Sequence, residues 1–307
     1  MAKNGGRGIH SWIGMHSTTG TTHMEVGIFC AFSQATPPEM IAAQAKAIEE
    51  RGFHALWVPE HVVLFKEYES QYPYAENGRL PGFGNGMMEP FGALTFCAAH
   101  TKTIRLGTSI CLVPQRNPVY TAKQVADLDF LSGGRVNFGV GTGWLREEFE
   151  ALQMPWPRRA QRTRDHIAVM KSLWCDEVSQ YSGELYSLPA CVQNPKPVQT
   201  PHPPIFFGGE GEPALRRVAE IGQGWLGASV LPDAVPERLA RLDVLLDEAG
   251  RTRADIKVYI MPNRAPEADY FTRYEDAGVD QVIHMVGGND LDSYLRRLDR
   301  MAKHAFS

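Results

Sequence analysis

The most reactive pair in the chain is Glu60-His61, at the end of the apolar run ALWVPEH. An imidazole takes or gives a proton near neutral pH, and an adjacent acid can assist it. The plainer alternative is a core histidine bonded to a carbonyl, with a surface glutamate beside it. As a metal site the pair is poor, because no second His or carboxylate stands at ligand spacing, so no metal is expected. Two glycine-rich stretches come next. In Gly139-Val140-Gly141-Thr142-Gly143 the missing side chains would let a flat ring or a phosphate approach the backbone, with Thr142 as a hydroxyl donor. They would equally serve a tight turn that needs positive φ. The spacing is not the G-x-G-x-x-G of a dinucleotide fingerprint. In Gly208-Gly209-Glu210-Gly211-Glu212-Pro213 a helix start follows, whose free N–H groups suit an anion. Glu210 and Glu212 would oppose an anion if they pointed inward, so both are expected to face solvent. Thr108, Ser109 and Ile110 end a further strand-like run. Most aromatics in or near strands (Phe29, Phe32, Trp57, Phe206, Phe207) read as core filler, and Trp144 as pocket lining.

Absent motifs narrow the chemistry. The chain has no G-x-S-x-G elbow, no Walker lysine loop and no H-E-x-x-H. No pair of acids sits at successive strand ends, which disfavours a glycosidase. One histidine among glycines, hydroxyls and aromatics suits a bound ring cofactor that carries the hard step while the protein orients it. Lys and Arg total 31 against 35 for Asp and Glu, so no basic excess exists to hold nucleic acid. No apolar run approaches the ~18–20 residues of a membrane span. Five scattered cysteines without C-x-x-C fit a reducing, cytoplasmic setting. Residues 1–23, rich in Gly, Ser, Thr and His, read as a disordered tail or an upstream start before Met24.

The elements that must position these residues alternate from Met24 onward. Strands are predicted over 25–32, 55–61, 103–113, 135–144, 203–209, 224–229, 256–261 and 281–286. Helices are predicted between and after them, near 119–131, 159–175, 213–222, 236–249, 266–277 and 290–304. Thr36-Pro37-Pro38-Glu39 reads as a helix start with Thr36 as N-cap. Residues 178–190 read as a small hairpin. Eight strand–helix units without a change of composition predict one (β/α)₈ barrel over 24–307. In that architecture the active face lies at the C-terminal strand ends, where all the residues singled out above fall. The long loop 62–88 interrupts the alternation, and loops of that length are usually functional.

GFHALWVPEH, IRLGTSICLVPQRNP, LSGGRVNFGVGTGWLREEFEALQMP and PPIFFGGEGEPALRRVAEIGQGWL, in that order, resemble the bacterial luciferase-like superfamily. The last two are most similar to its F420-dependent oxidoreductase subgroup. The resemblance implies a TIM barrel, cofactor F420 or alternatively FMN at its C-terminal mouth, and a small-molecule substrate in a homodimer. It implies His61 as base with Glu60 beside it, and a non-proline cis peptide at Ser109-Ile110. It implies cofactor contacts at Thr108, Ser109, Ile110, Gly141, Thr142 and Gly143. It also implies a phosphate turn of Gly208, Gly209, Glu210, Gly211, Pro213 and Ala214. Trp144 stands where sugar-phosphate dehydrogenase relatives carry a catalytic Glu, so a sugar phosphate is not expected. Tyr68, Tyr72, Tyr74 and Phe83 of the long loop should cover a bulky apolar or aromatic substrate. A reduced-FMN monooxygenase, a cofactor-binding protein without turnover, and an unrelated barrel isomerase or hydrolase are the competing readings.

Overall fold

The computed structural model describes residues 24–81, 86–266, 269–288 and 290–306. The expected tail 1–23 and Phe83 of the loop lie outside the described residues. The strands in chain order are β1 (Glu25–Phe29), β2 (Ala55–Val58), β3 (Arg105–Thr108), β4 (Cys111–Leu112) and β5 (Val136–Gly141). The hairpin β6 (Ser179–Ser182) and β7 (Ser187–Cys191) follows, then β8 (Ile205–Gly208), β9 (Gly224–Ala228), β10 (Lys257–Met261) and β11 (Gln281–Met285). Apart from the antiparallel hairpin, all pair in parallel, in the order β3-β2-β1-β11-β10-β9-β8-β5-β4. A β3–β5 pairing closes the ring, with β4 continuing the β3 stave. The expected eight-stave barrel is what forms.

Alternation along each strand sorts side chains to two cores. Val26, Ile28, Leu56, Val58, Phe138 and Val140 pack outward among the helices. Phe29, Trp57, Phe206, Leu226, Tyr259 and Ile283 fill the barrel interior. Trp57 takes up so much of that space that a Cβ on Gly107 would stand 2.1 Å from its ring. Phe206 stacks on Tyr259 with centroids 4.5 Å apart, and the Trp57 indole N–H donates to Gln281 Oε1 at 2.9 Å. The interior is therefore plugged below its mouth, and a ligand can enter only at the top.

The outer ring comprises α1 (Pro38–Glu50), α2 (Pro90–His100), α3 (Pro118–Ser132), α4 (Arg146–Ala151) and α5 (Arg159–Cys175). It continues with α6 (Glu212–Ile221), α7 (Val235–Glu248), α8 (Tyr270–Asp276) and α9 (Leu291–Phe306). Local chemistry sets the ends. Asn117 accepts from the Val119 and Tyr120 N–H groups to start α3, and Gly133 at φ +71° ends it. Thr36 does not cap α1. Pro37 holds the N-cap position without a side-chain bond, and the Thr36 hydroxyl instead accepts from Ser33 N–H. No helix of the described residues is long and apolar enough to cross a membrane.

Candidate active site

A cavity of about 470 Å³ opens at the C-terminal ends of the staves. Its floor includes Phe29, Ile110, Leu226, Met261 and Met285, one or two residues from each of several strands. A wider, shallower depression of about 920 Å³ lies along the long loop, walled by Glu67, Glu69, Glu147, Glu150, Arg79 and Arg146. None of the strand-end residues lines it.

β2 delivers Glu60 and His61 to one wall of the cavity. His61 is 8% exposed, and its Nδ1 lies 2.9 Å from Glu148 Oε2. Its ring meets Trp144 edge to face at 5.7 Å. Glu60 is engaged differently. Oε2 accepts from Leu112 N–H at 2.5 Å and Oε1 pairs with Arg116. Burial pushes the Glu60 carboxyl up, and the Arg116 guanidinium pulls it back. Glu60 thus holds β4 in place.

The stretch between β3 and β4 carries a cis Ser109–Ile110 peptide, as expected. It presents Ile110 across the mouth. A Cβ on Gly141 would stand 2.0 Å from Ile110 Cδ1, and one on Gly208 2.8 Å. At these two positions the missing side chains make room for Ile110. Gly143, at φ +77°, makes the turn from β5 toward α4. Ser109, Thr142, Gly143 and Trp144 line the cavity. Thr108 does not. Its hydroxyl donates to the Gly139 carbonyl at 2.6 Å within the barrel wall, because β3 and β5 approach each other there.

The opposite wall is the β8–α6 turn, with Gly208, Gly209, Gly211, Pro213 and Ala214. Glu212 faces solvent and pairs with Arg216 and Arg241, as expected. Glu210 corrects the expectation. It turns inward, accepting from Ala228 N–H at 2.6 Å and from the Tyr74 hydroxyl. The β9 N–H and the phenol compensate the half-buried carboxylate, so it need not turn fully to water. Burial raises the Glu210 carboxyl, and burial with the nearby Glu210 charge raises the Tyr74 phenol. This contact brings the tip of the long loop over the mouth. Tyr72, Tyr74, Leu80, Pro81 and Met87 wall the cavity, and Tyr72 and Tyr68 meet Trp144 at 5.2 and 5.6 Å.

Two residues escaped the sequence reading. Glu148, 0% exposed, sits in REEFEA, which looks like a charged helix surface. Arg217 lines the cavity at 6% exposure, and its Nε has no hydrogen-bond partner among the described residues. Burial, with Arg164 and Arg159 nearby, lowers its guanidinium to about 10. Arg217 left a signal: it falls on the apolar stripe of α6 with Ala214, Val218 and Ile221. The hydroxyl of Ser109 is likewise buried and unpartnered among the described residues. Among those residues no group of three His, Cys, Asp or Glu side chains could hold a metal ion.

Residues 24–294 match the family described as Luciferase-like monooxygenase, and the chain belongs to it. It is similar to an uncharacterised protein of Mycobacterium tuberculosis, 31% identical over 78% of this chain and 82% of that one. It is 29% identical to the F420-dependent glucose-6-phosphate dehydrogenase of Microbacterium testaceum, over 83% of this chain and 72% of that one. It is 36% identical to the FMNH(2)-dependent dimethylsulfone monooxygenase of Pseudomonas putida, over 36% of this chain and 31% of that one. The structure of an F420-dependent secondary alcohol dehydrogenase shares the fold, with a TM-score of 0.74 at 16% identity, over 93% of this chain and 100% of that one. Members of this family are oxidoreductases, and the enzymes named among these relatives depend on F420 or FMN.

Proposed function

We propose that this luciferase-like barrel is an F420-dependent oxidoreductase acting on a small, neutral, apolar organic substrate. The observation that carries it is the pairing of two walls: a positioned imidazole on one side, and a buried guanidinium with an unpartnered Nε on the other. A cavity of about 470 Å³ is in the size range of organic-ligand sites. The F420-dependent relative aligns across most of the chain, whereas the FMN-dependent one aligns over 112 residues. The longer alignment favours F420, with FMN as the alternative.

The residues present fit such a cofactor. Arg217, with the N–H groups at the start of α6, would hold a phosphate. Ser109 Oγ would donate to the ring and Ile110 would back it. A bound deazaflavin would supply hydride transfer at its ring. The chain's own part is proton handling and exclusion of water. His61 takes a proton from a substrate hydroxyl, or returns it to a carbonyl, at Nε2. Trp144, Tyr72, Tyr74, Leu80 and Met87 cover the reacting face. Arg217 is the one Lys or Arg among the described lining residues, so a charged sugar phosphate would find no second cation. Exposed Tyr120, Phe130 and Leu131 on α3 support a second copy as neighbour, in a homodimer.

Titrating the purified protein with F420 and with FMN tests the cofactor. Saturable binding of F420 is expected, and tight FMN binding without F420 binding overturns that assignment. With a panel of neutral alcohols and ketones, His61→Ala should bind F420 within about threefold of wild type and lose about 10²–10⁴-fold in turnover. Turnover surviving unchanged would remove His61 from the chemistry.

A further inference from the structure

We propose that Glu148 is the positioning residue of the site, fixing which nitrogen of His61 carries the proton and tying the start of the long loop to that choice. The inference rests on the proton-handling role of His61. The Glu148 carboxylate is buried and meets three donors. Oε1 accepts from Val62 N–H at 2.6 Å and Val63 N–H at 3.3 Å, and Oε2 lies 2.9 Å from His61 Nδ1. Backbone N–H groups only donate and a carboxylate only accepts, so Oε2 takes its hydrogen from the imidazole. The proton of neutral His61 therefore sits on Nδ1, and Nε2 is left as an acceptor. The Trp144 ring, nearly perpendicular to the imidazole with centroids 5.7 Å apart, limits its swing.

The same short helix holds the loop a second time. Glu147 Oε1 accepts from Glu69 N–H at 2.6 Å and Ser70 N–H at 3.1 Å, and Oε2 from the Ser70 hydroxyl at 2.7 Å. α4 leaves the glycine turn of β5 directly. The base and the long loop above it are thus held by two adjacent carboxylates, with Glu148 assigned to the base and Glu147 to the loop alone.

Glu148→Gln separates these roles without changing volume. The Val62 and Val63 N–H groups need an acceptor, so the amide oxygen must stay at the Oε1 position. The amide NH₂ then faces His61, which can only accept, and the imidazole proton moves to Nε2. The measurement is ¹⁵N NMR of histidine-labelled protein without cofactor, with His61 assigned by its loss in His61→Gln. Wild type should show the Nδ1–H form and Glu148→Gln the Nε2–H form, while the loop keeps its resistance to protease. Glu147→Gln should leave the tautomer unchanged. In turnover, Glu148→Gln should lose about 10²-fold or more in kcat with KM within about threefold. An Nε2–H form in wild type overturns the proposal and needs no variant. So does an Nδ1–H form retained in Glu148→Gln, or full kcat despite the switch. If wild type turns over nothing with either cofactor while the tautomer switches as stated, the positioning stands and the oxidoreductase reading fails.

Discussion

The two walls of the cavity are finished differently. On the β2 side the groups are saturated: Glu60 holds Leu112 and Arg116, and Glu148 holds His61, Val62 and Val63. On the β8 side a guanidinium at 6% exposure keeps an Nε without a partner among the described residues. A saturated network gains little from a ligand and instead fixes geometry. An unsaturated buried charge is costly in the free protein and has free energy to recover when an anion arrives. One wall is built to position and the other to bind.

Replacing Arg217 by Met should give the largest separation of the two. Affinity for the phosphate-bearing cofactor should fall about 10–100-fold, the worth of one charge-assisted hydrogen bond. The melting temperature of the cofactor-free protein should hold or rise, since a buried guanidinium with an unpartnered Nε leaves the interior. A fall in melting temperature with affinity intact would make Arg217 part of the scaffold and erase the contrast. Gly141→Ala acts between the walls. The added methyl would lie 2.0 Å from Ile110 Cδ1, and Ile110 must turn into the cavity. A stability cost of about 1–3 kcal/mol is expected, with weaker cofactor binding. Unchanged binding would show that Ile110 does not back the ring. Glu147→Ala should have the smallest effect, confined to the lid. Burial pushes the Glu147 carboxyl up, but the Ser70 hydroxyl and the Glu69 and Ser70 N–H groups bring it down to about 2. Its tie is therefore complete above the ordinary value of 4.5 and is lost as pH falls through about 2. Pepsin at pH 4.5 should cut the loop faster in the variant than in wild type, and the difference should shrink toward pH 2. Equal cutting at pH 4.5 would mean Glu147 does not hold the lid.

The barrel was legible because its signals are local: apolar strands at regular spacing, helical stretches between them, and glycines where staves end. His61 was legible because a strand-terminal histidine before a long loop is itself a local pattern. Glu210 was misread for the opposite reason. Its inward turn depends on Ala228 and Tyr74, far away along the chain. Thr108 looked like a contact because it ends a strand, yet the neighbouring Gly139 carbonyl claims its hydroxyl.

The sequence by itself determined which elements form, that their ends carry one imidazole among glycines and aromatics, and that the charge balance leaves anion binding to local groups. Only the tertiary structure decided which charges are partnered. In one dimension Glu148 looks like a helix-surface residue, and Arg217 is a charge on the apolar stripe of α6 with no visible role. Barrel closure buries both within the same mouth, where one carboxylate finds three donors and one guanidinium is left with an unpartnered nitrogen.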